Sequence, residues 1–256
     1  MTHHRPGTDG AHASADQPVV RLSGVTKSFG RTRVLTGIDL TVSPGELVEV
    51  TGPSGSGKTT LLRLIHGQLR PNGGEVWVQG RGLHRWWRRG LGRIRRDAAF
   101  VFQEQHLLPR LTALENLTLA LQVREPAVPR RAIKGRALDA LESLGLRQKG
   151  RSYPSQLSAG ERQRVAVARA LAARPRVLLA DEPLSSMDEE NARAVMRLLE
   201  AATAGGAAVI VATHQHTFHS SRMLRLPAGK VLLNGSAKRG ANGTRDKPSI
   251  WRLVMP

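Results

Sequence analysis

The stretch Gly52-Pro53-Ser54-Gly55-Ser56-Gly57-Lys58-Thr59 fits the pattern Gly-x4-Gly-Lys-Ser/Thr, a spacing suited to holding phosphate. Glycines let the backbone curl until successive N–H groups point inward at phosphate oxygens. A helix starting at the end of the loop adds its positive pole. In that arrangement Lys58 contacts the β- and γ-phosphates of a nucleotide. Thr59, followed by Thr60 in the same helix, offers its hydroxyl to Mg2+, an ion that keeps most of its ligands as water and phosphate oxygen.

A second chemical signal is the pair Asp181-Glu182 at the end of the apolar run Val177-Leu178-Leu179-Ala180. A buried parallel strand would release both acids at the carboxyl edge of its sheet, where ligands of α/β folds bind. Asp181 suits Mg2+ through its water shell, and Glu182 suits general-base activation of an attacking water. The plain alternative is a polar strand end with two solvated acids.

The flanking elements supply the right context. Segment 46–51 has strand composition and runs into the loop, and 59–68 carries helical spacing through Leu61, Leu62 and Ile65. Segments 19–22, 32–35 and 38–42 read as short antiparallel strands, with turns at Ser28-Phe29-Gly30 and Thr36-Gly37. Further strands are expected at 75–79, 98–102 and 208–212, and amphipathic helices at 111–121 and 131–144. With the helix after Ser158 these predict a helical insertion over about 104–165. A closing hairpin is expected from 224–226 and 230–233 through Pro227-Ala228-Gly229. The main domain spans 18–235, between a disordered tail at 1–17 and a basic tail at 236–256 with a short helix expected at 250–254. No internal repeat is visible.

With 256 residues and 40% hydrophobic side chains the chain can build a sizeable core. No apolar run reaches the ~18 residues of a membrane span, and the first residues lack the apolar stretch of an export signal. The absence of cysteine excludes disulfides and thiolate metal sites. The net charge of +19 favours polyanions, either an acidic membrane face or nucleic acid. Much of it gathers at Arg81, Arg85, Arg88, Arg89, Arg93, Arg95 and Arg96, around Trp86 and Trp87. A solvated basic face, a membrane or partner contact, and a nucleic-acid contact are all compatible with that stretch.

These motifs resemble the ATP-binding cassette (ABC) family across residues 19–235. Leu157-Ser158-Ala159-Gly160-Glu161 resembles the family's signature, and Gln103 after Phe100-Val101-Phe102 its Q-loop. Ser185-Ser186-Met187-Asp188 resembles the D-loop and His214 the switch histidine. The resemblance implies a P-loop NTPase (RecA-like) α/β core with an antiparallel β subdomain and an inserted α-helical subdomain. It implies ATP and Mg2+ as cofactors, Glu182, His214 and Gln103 as catalytic groups, and Thr59, Gln103 and Asp181 as metal holders. It implies that Phe29 stacks on adenine and that Ser158 and Gly160 cap the nucleotide of a second copy of the chain. Taken from their own residues alone, Ser158 is equally an ordinary helix cap, Gln103 a polar strand end and His214 a structural histidine.

Two residues depart from the family pattern: Ala159 stands for the usual first glycine and Glu161 for glutamine. The extra methyl of Ala159 is expected to hinder closure on the phosphate. The family also implies an integral membrane permease as partner, with the chain cytoplasmic and peripheral on the inner membrane face. His106 to Asn116 resembles the segment beside the permease's coupling helix, and the nearest branch is that of the lipoprotein-release and cell-division ATPases, LolD and FtsE. A nucleic-acid-associated ABC ATPase is the rival. The short spacing between the two halves of the site, and the lack of cysteine for a zinc module, count against nucleic acid.

Overall fold

A computed structural model describes residues 17–83, 91–185, 187–214, 217–218, 221–226 and 230–232, apart from the side chains of residues 93 and 230–232. The two expected tails, the run Arg85 to Arg89 with both its tryptophans, Ser186 and the turn Pro227-Ala228-Gly229 lie outside the described residues, residue 17 excepted.

The chain opens with β1 (Val20–Phe29), β2 (Thr32–Val42), β3 (Leu47–Thr51), α1 (Lys58–Ile65), β4 (Gly73–Val78) and β5 (Arg81–Gly82). It continues with α2 (Leu91–Asp97), β6 (Ala98–Val101), α3 (Ala113–Arg124), α4 (Arg130–Glu142) and α5 (Ala159–Ala172). It closes with β7 (Val177–Asp181), α6 (Glu189–Ala204), β8 (Ala208–Thr213), β9 (Arg222–Arg225) and β10 (Lys230–Leu232).

Two sheets result. β2-β1-β4-β5 is antiparallel, and β10-β9-β3-β8-β7-β6 is parallel except at its β10 edge. The parallel strands are short and apolar because both their faces are covered. Leu178 and Ala180 of β7 join the core beneath α3, α4, α5 and α6, whereas Val177 and Leu179 join the core against α1 and the antiparallel sheet. The expected α/β architecture is therefore present.

Three details differ from the sequence expectation. No turn breaks the chain at Thr36-Gly37: β2 is one strand, and the register slips between Val25↔Ile38 and Lys27↔Leu35. Gly37, at φ 63°, absorbs the extra residue as a bulge, which needs the same left-handed backbone that a turn would. Likewise β1 extends past 22 as far as Phe29. Helices α2 and α6 have no counterpart among the expected elements. Helix α6 starts on Asp188, whose carboxylate accepts from the Asn191 amide at 2.8 Å, and its buried face, Val195, Leu198, Leu199, Ala201 and Ala202, follows helical spacing.

Candidate functional site

The order β3-β8-β7-β6, all parallel, sets four strand ends side by side at one edge of the sheet. The loop Gly52 to Thr59 leaves β3, His214 follows β8, Asp181 and Glu182 end β7, and Gln103 lies two residues beyond β6. Residues remote in sequence thus meet where ligands of open α/β sheets bind.

Loop geometry explains its glycines. Gly52 has φ 153°, and a Cβ there would stand 2.6 Å from the Leu226 carbonyl oxygen and 2.7 Å from Ser56 Oγ. Gly57, at φ 99°, precedes α1 with no side-chain cap, so the first-turn amides of that helix are left for a ligand. Lys58 is 6% exposed. Its Nζ donates to the carbonyls of Gly52 (2.9 Å) and Pro53 (3.2 Å), which holds the loop closed around the ammonium.

A cleft of about 290 Å³ lies over this edge. Ser54, Gly55, Gly57, Lys58, Thr59 and Thr60 line it from the loop, Gln103, Asp181, Glu182 and His214 from the other strand ends, and Val34 from β2. Within it Glu182 Oε1 is 3.8 Å from Lys58 Nζ and 3.0 Å from His214 Nε2, while His214 Nδ1 is 3.4 Å from Lys58 Nζ. Glu182 has φ 47°, an uncommon backbone state for a non-glycine residue, and its amide bonds to the Ala212 carbonyl at 2.9 Å. That twist separates its side chain from that of Asp181.

Burial pushes the Asp181 carboxyl above its ordinary range, opposed by a hydrogen bond with Thr59 and by the nearby charges of Arg63 and Lys58. Burial also pushes Glu182 up, against the pull of His214 and Lys58 and with help from Asp181. Asp181 Oδ1 and Ser56 Oγ are buried without a hydrogen-bond partner. Such orphans suit a bound cation beside Asp181 and Thr59 and a phosphate cradled by the loop. Among the described residues no three His, Asp or Glu side chains are grouped to hold a metal by themselves, so a cation here would take ligands from the phosphate as well.

Three expected residues lie elsewhere. Phe29 is 48% exposed at the end of β1, outside the cleft lining, with Lys27 Nζ 5.1 Å from its ring centroid. Ser158 and Gly160 open α5, also away from the cleft. The Ser158 hydroxyl accepts from the Glu161 amide at 3.1 Å, and the Glu161 carboxylate accepts from the Ser158 amide at 2.8 Å. The amide bond lowers the Glu161 carboxyl, with Lys149 adding to the effect. In the structure the Ser158 side chain thus serves as the cap of its own helix. Of the D-loop segment, Ser185 donates its hydroxyl to the Glu182 carbonyl at 2.8 Å and Asp188 caps α6.

Sequence reasoning missed Val34 and Glu49. Val34 carries no chemical signal. Glu49 carries one: it is an acid in the middle of a five-residue strand that is buried throughout.

Comparison with known proteins agrees with this geometry. A family model described as "ABC transporter" matches residues 35–185. The chain is 39% identical over 239 residues to the methionine import ATP-binding protein MetN of Mesorhizobium japonicum, covering 91% of this chain and 63% of that protein. It thus spans just under two thirds of that relative's length. It is 40% identical to the lipoprotein-releasing system ATP-binding protein LolD of Hyphomonas neptunium, with 84% of this chain and 97% of that protein covered. It is 35% identical to the cell division ATP-binding protein FtsE of Streptococcus pneumoniae, covering 85% and 96%. A dimeric ATP-binding cassette in a post-hydrolysis state bound to ADP and Pi superposes with a TM-score of 0.74 at 36% identity, covering 83% of this chain and 96% of that one. With its fold, its strand-edge cleft and these relatives in agreement, the chain belongs to the ABC transporter family.

Proposed function

We propose that this chain is the ATP-binding and ATP-hydrolysing subunit of an ABC transporter complex, closing as a dimer around two ATP to drive an integral membrane subunit. The observation that carries the proposal is the convergence of Lys58, Asp181, Glu182, His214 and Gln103 on one cleft at the end of a glycine loop. Lys58 and the loop amides hold the phosphates, and Lys58→Ala removes binding or turnover. Thr59, Asp181 and Gln103 are the residues to hold Mg2+, which neutralises charge on the β- and γ-phosphates when bound. Glu182, raised by burial and facing His214, takes the proton of the attacking water, and His214 orients the γ-phosphate side of the site. Phe29 offers a ring face to adenine.

Ser158 and Gly160 are not among the residues that line the cleft, which supports their pairing with the loop of a second copy. The helical part at about 104–165, within a cassette spanning 18–235, supplies the membrane contact. A groove of about 300 Å³ between α2, β6, α3 and α5 exposes Leu108, Leu119 and Val123 beside Arg95 and Arg124. That mixture fits a short amphipathic element of the membrane subunit. Among the described residues no helix is long and apolar enough to cross a membrane. A cytoplasmic, peripheral position with the +19 charge drawn to an anionic membrane face accords with this role.

The test is direct. Glu182→Gln protein with ATP and Mg2+ should sediment as a dimer that persists, whereas ADP leaves it monomeric. If the arrested protein stays monomeric both alone and with its membrane subunit, the proposal is wrong.

A further inference from the structure

A parallel strand covered on both faces calls for apolar side chains, and β3 obeys with Leu47, Val48 and Val50. Glu49, between the two valines, is 0% exposed. A carboxylate in such a place is costly unless hydrogen bonds satisfy it. Its bonds reach the chain between β8 and β9: Oε1 accepts the Thr217 amide at 2.8 Å and the Phe218 amide at 3.1 Å, and Oε2 accepts the Ser221 hydroxyl at 2.7 Å. Glu49 also stands opposite Val211 of β8 and Met223 of β9, so the strand carrying it separates the two strands that this connection joins.

The connection begins with His214. We propose that Glu49 is a positioning residue for His214, a buried carboxylate that anchors Thr217, Phe218 and Ser221 and thereby fixes where the imidazole stands over the cleft. The inference rests on the ATPase reading above. Anchoring the backbone at Thr217, shortly beyond His214, restricts the placement of its ring, which now meets Glu182 Oε1 at 3.0 Å and Lys58 Nζ at 3.4 Å. Strand β3 also runs from Glu49 through Val50 and Thr51 straight into the phosphate-binding loop at Gly52, so one short strand sets both sides of the site.

The test is a double-mutant cycle in the full-length protein. Glu49→Leu suits the strand while removing every acceptor, and Glu49→Gln keeps the shape and one neutral acceptor. Glu49→Leu should lower kcat for ATP hydrolysis roughly tenfold with KM for ATP little changed, and Glu49→Gln should lose less. Neither should lower kcat further once His214 is replaced by Ala, because the effect runs through that ring. Equal losses in both backgrounds, or losses confined to KM or to thermal stability, overturn the proposal. Hydrogen exchange on nucleotide-free protein gives an arm independent of turnover: the Thr217 and Phe218 amides should lose protection in Glu49→Leu, and unchanged protection also overturns it. A parental protein that hydrolyses no ATP would sink the ATPase reading instead, and the exchange arm would still decide whether Glu49 anchors this connection.

Discussion

His214 Nε2 lies 3.0 Å from Glu182 Oε1, joining the residue after β8 to the end of its neighbour β7 across the mouth of the cleft. The contact bears on proton transfer. Glu182 accepts a proton only when ionised, yet burial holds its carboxyl above the ordinary value of 4.5, so part of its population is protonated in mildly acidic solution. Hydrolysis should therefore decline on acidification with an inflection above the ordinary carboxylate range. Replacing His214 by Ala removes a charge that favours the ionised form and should move the inflection higher still. Rate against pH for the two proteins checks this; an inflection unmoved by the substitution would separate His214 from the base.

Asp181 is the second buried acid at this edge, with Oδ1 left without a partner. Its folded-state proton affinity is raised above the ordinary 3.8, so the nucleotide-free fold binds protons more tightly than the unfolded chain. The stability this contributes is present at low pH and is lost as pH rises through the raised value. Asp181→Asn removes the buried charge and should stabilise the nucleotide-free protein near neutral pH by on the order of 1 kcal/mol. The same change should abolish the extra stabilisation that Mg2+ adds to ATP. Thermal unfolding with and without ATP and Mg2+ measures both effects, and a destabilised nucleotide-free variant would contradict the account.

His66 gives the opposite sign. It caps the end of α1 with its ring centroid 5.4 Å from that of Phe100 in a T-shaped contact, and burial, with the Arg95 charge, lowers its pKa from 6.5 to about 4. The unfolded chain binds the proton more readily between those values. Stability should thus fall as pH drops from 6.5 toward 4, by on the order of 2 kcal/mol in this residue's share. His66→Gln should flatten that part of the stability curve, as followed by urea unfolding at several pH values. A slope equal to the parent's would assign the acid sensitivity to other groups.

How far the sequence reveals this site depends on the range of each signal. The phosphate loop and the acid pair are legible because their chemistry is packed into consecutive residues with a strand before them. Gln103 and His214 have no local signal of that strength; what brings them to the cleft is the strand order β3-β8-β7-β6, a property of pairing that periodicity does not carry. Gly37 misleads because bulges and turns draw on the same left-handed backbone. Glu49 hides because a charge inside a strand pattern looks like a solvent-facing position, and only the bonds from Thr217, Phe218 and Ser221 reveal why it is buried.

Ala159 allows the two-copy reading to be probed apart from the fold. It is the first residue of α5, exposed, and its methyl takes no part in the reciprocal bonds between Ser158 and Glu161 that cap the helix. Ala159→Gly should therefore change the stability of the single chain by less than about 1 kcal/mol, the cost of glycine in a helix interior being an upper bound at a first-turn position. In a dimer whose Ser158 and Gly160 close on the partner's phosphates, removing the methyl relieves crowding between backbone and phosphate. The substitution, placed in the Glu182→Gln background, should then tighten the ATP-dependent dimer several-fold, read by light scattering across protein concentration alongside urea unfolding of the monomer. A dimer no tighter than before, with an unchanged monomer, would mean that the start of α5 does not meet the nucleotide of another copy.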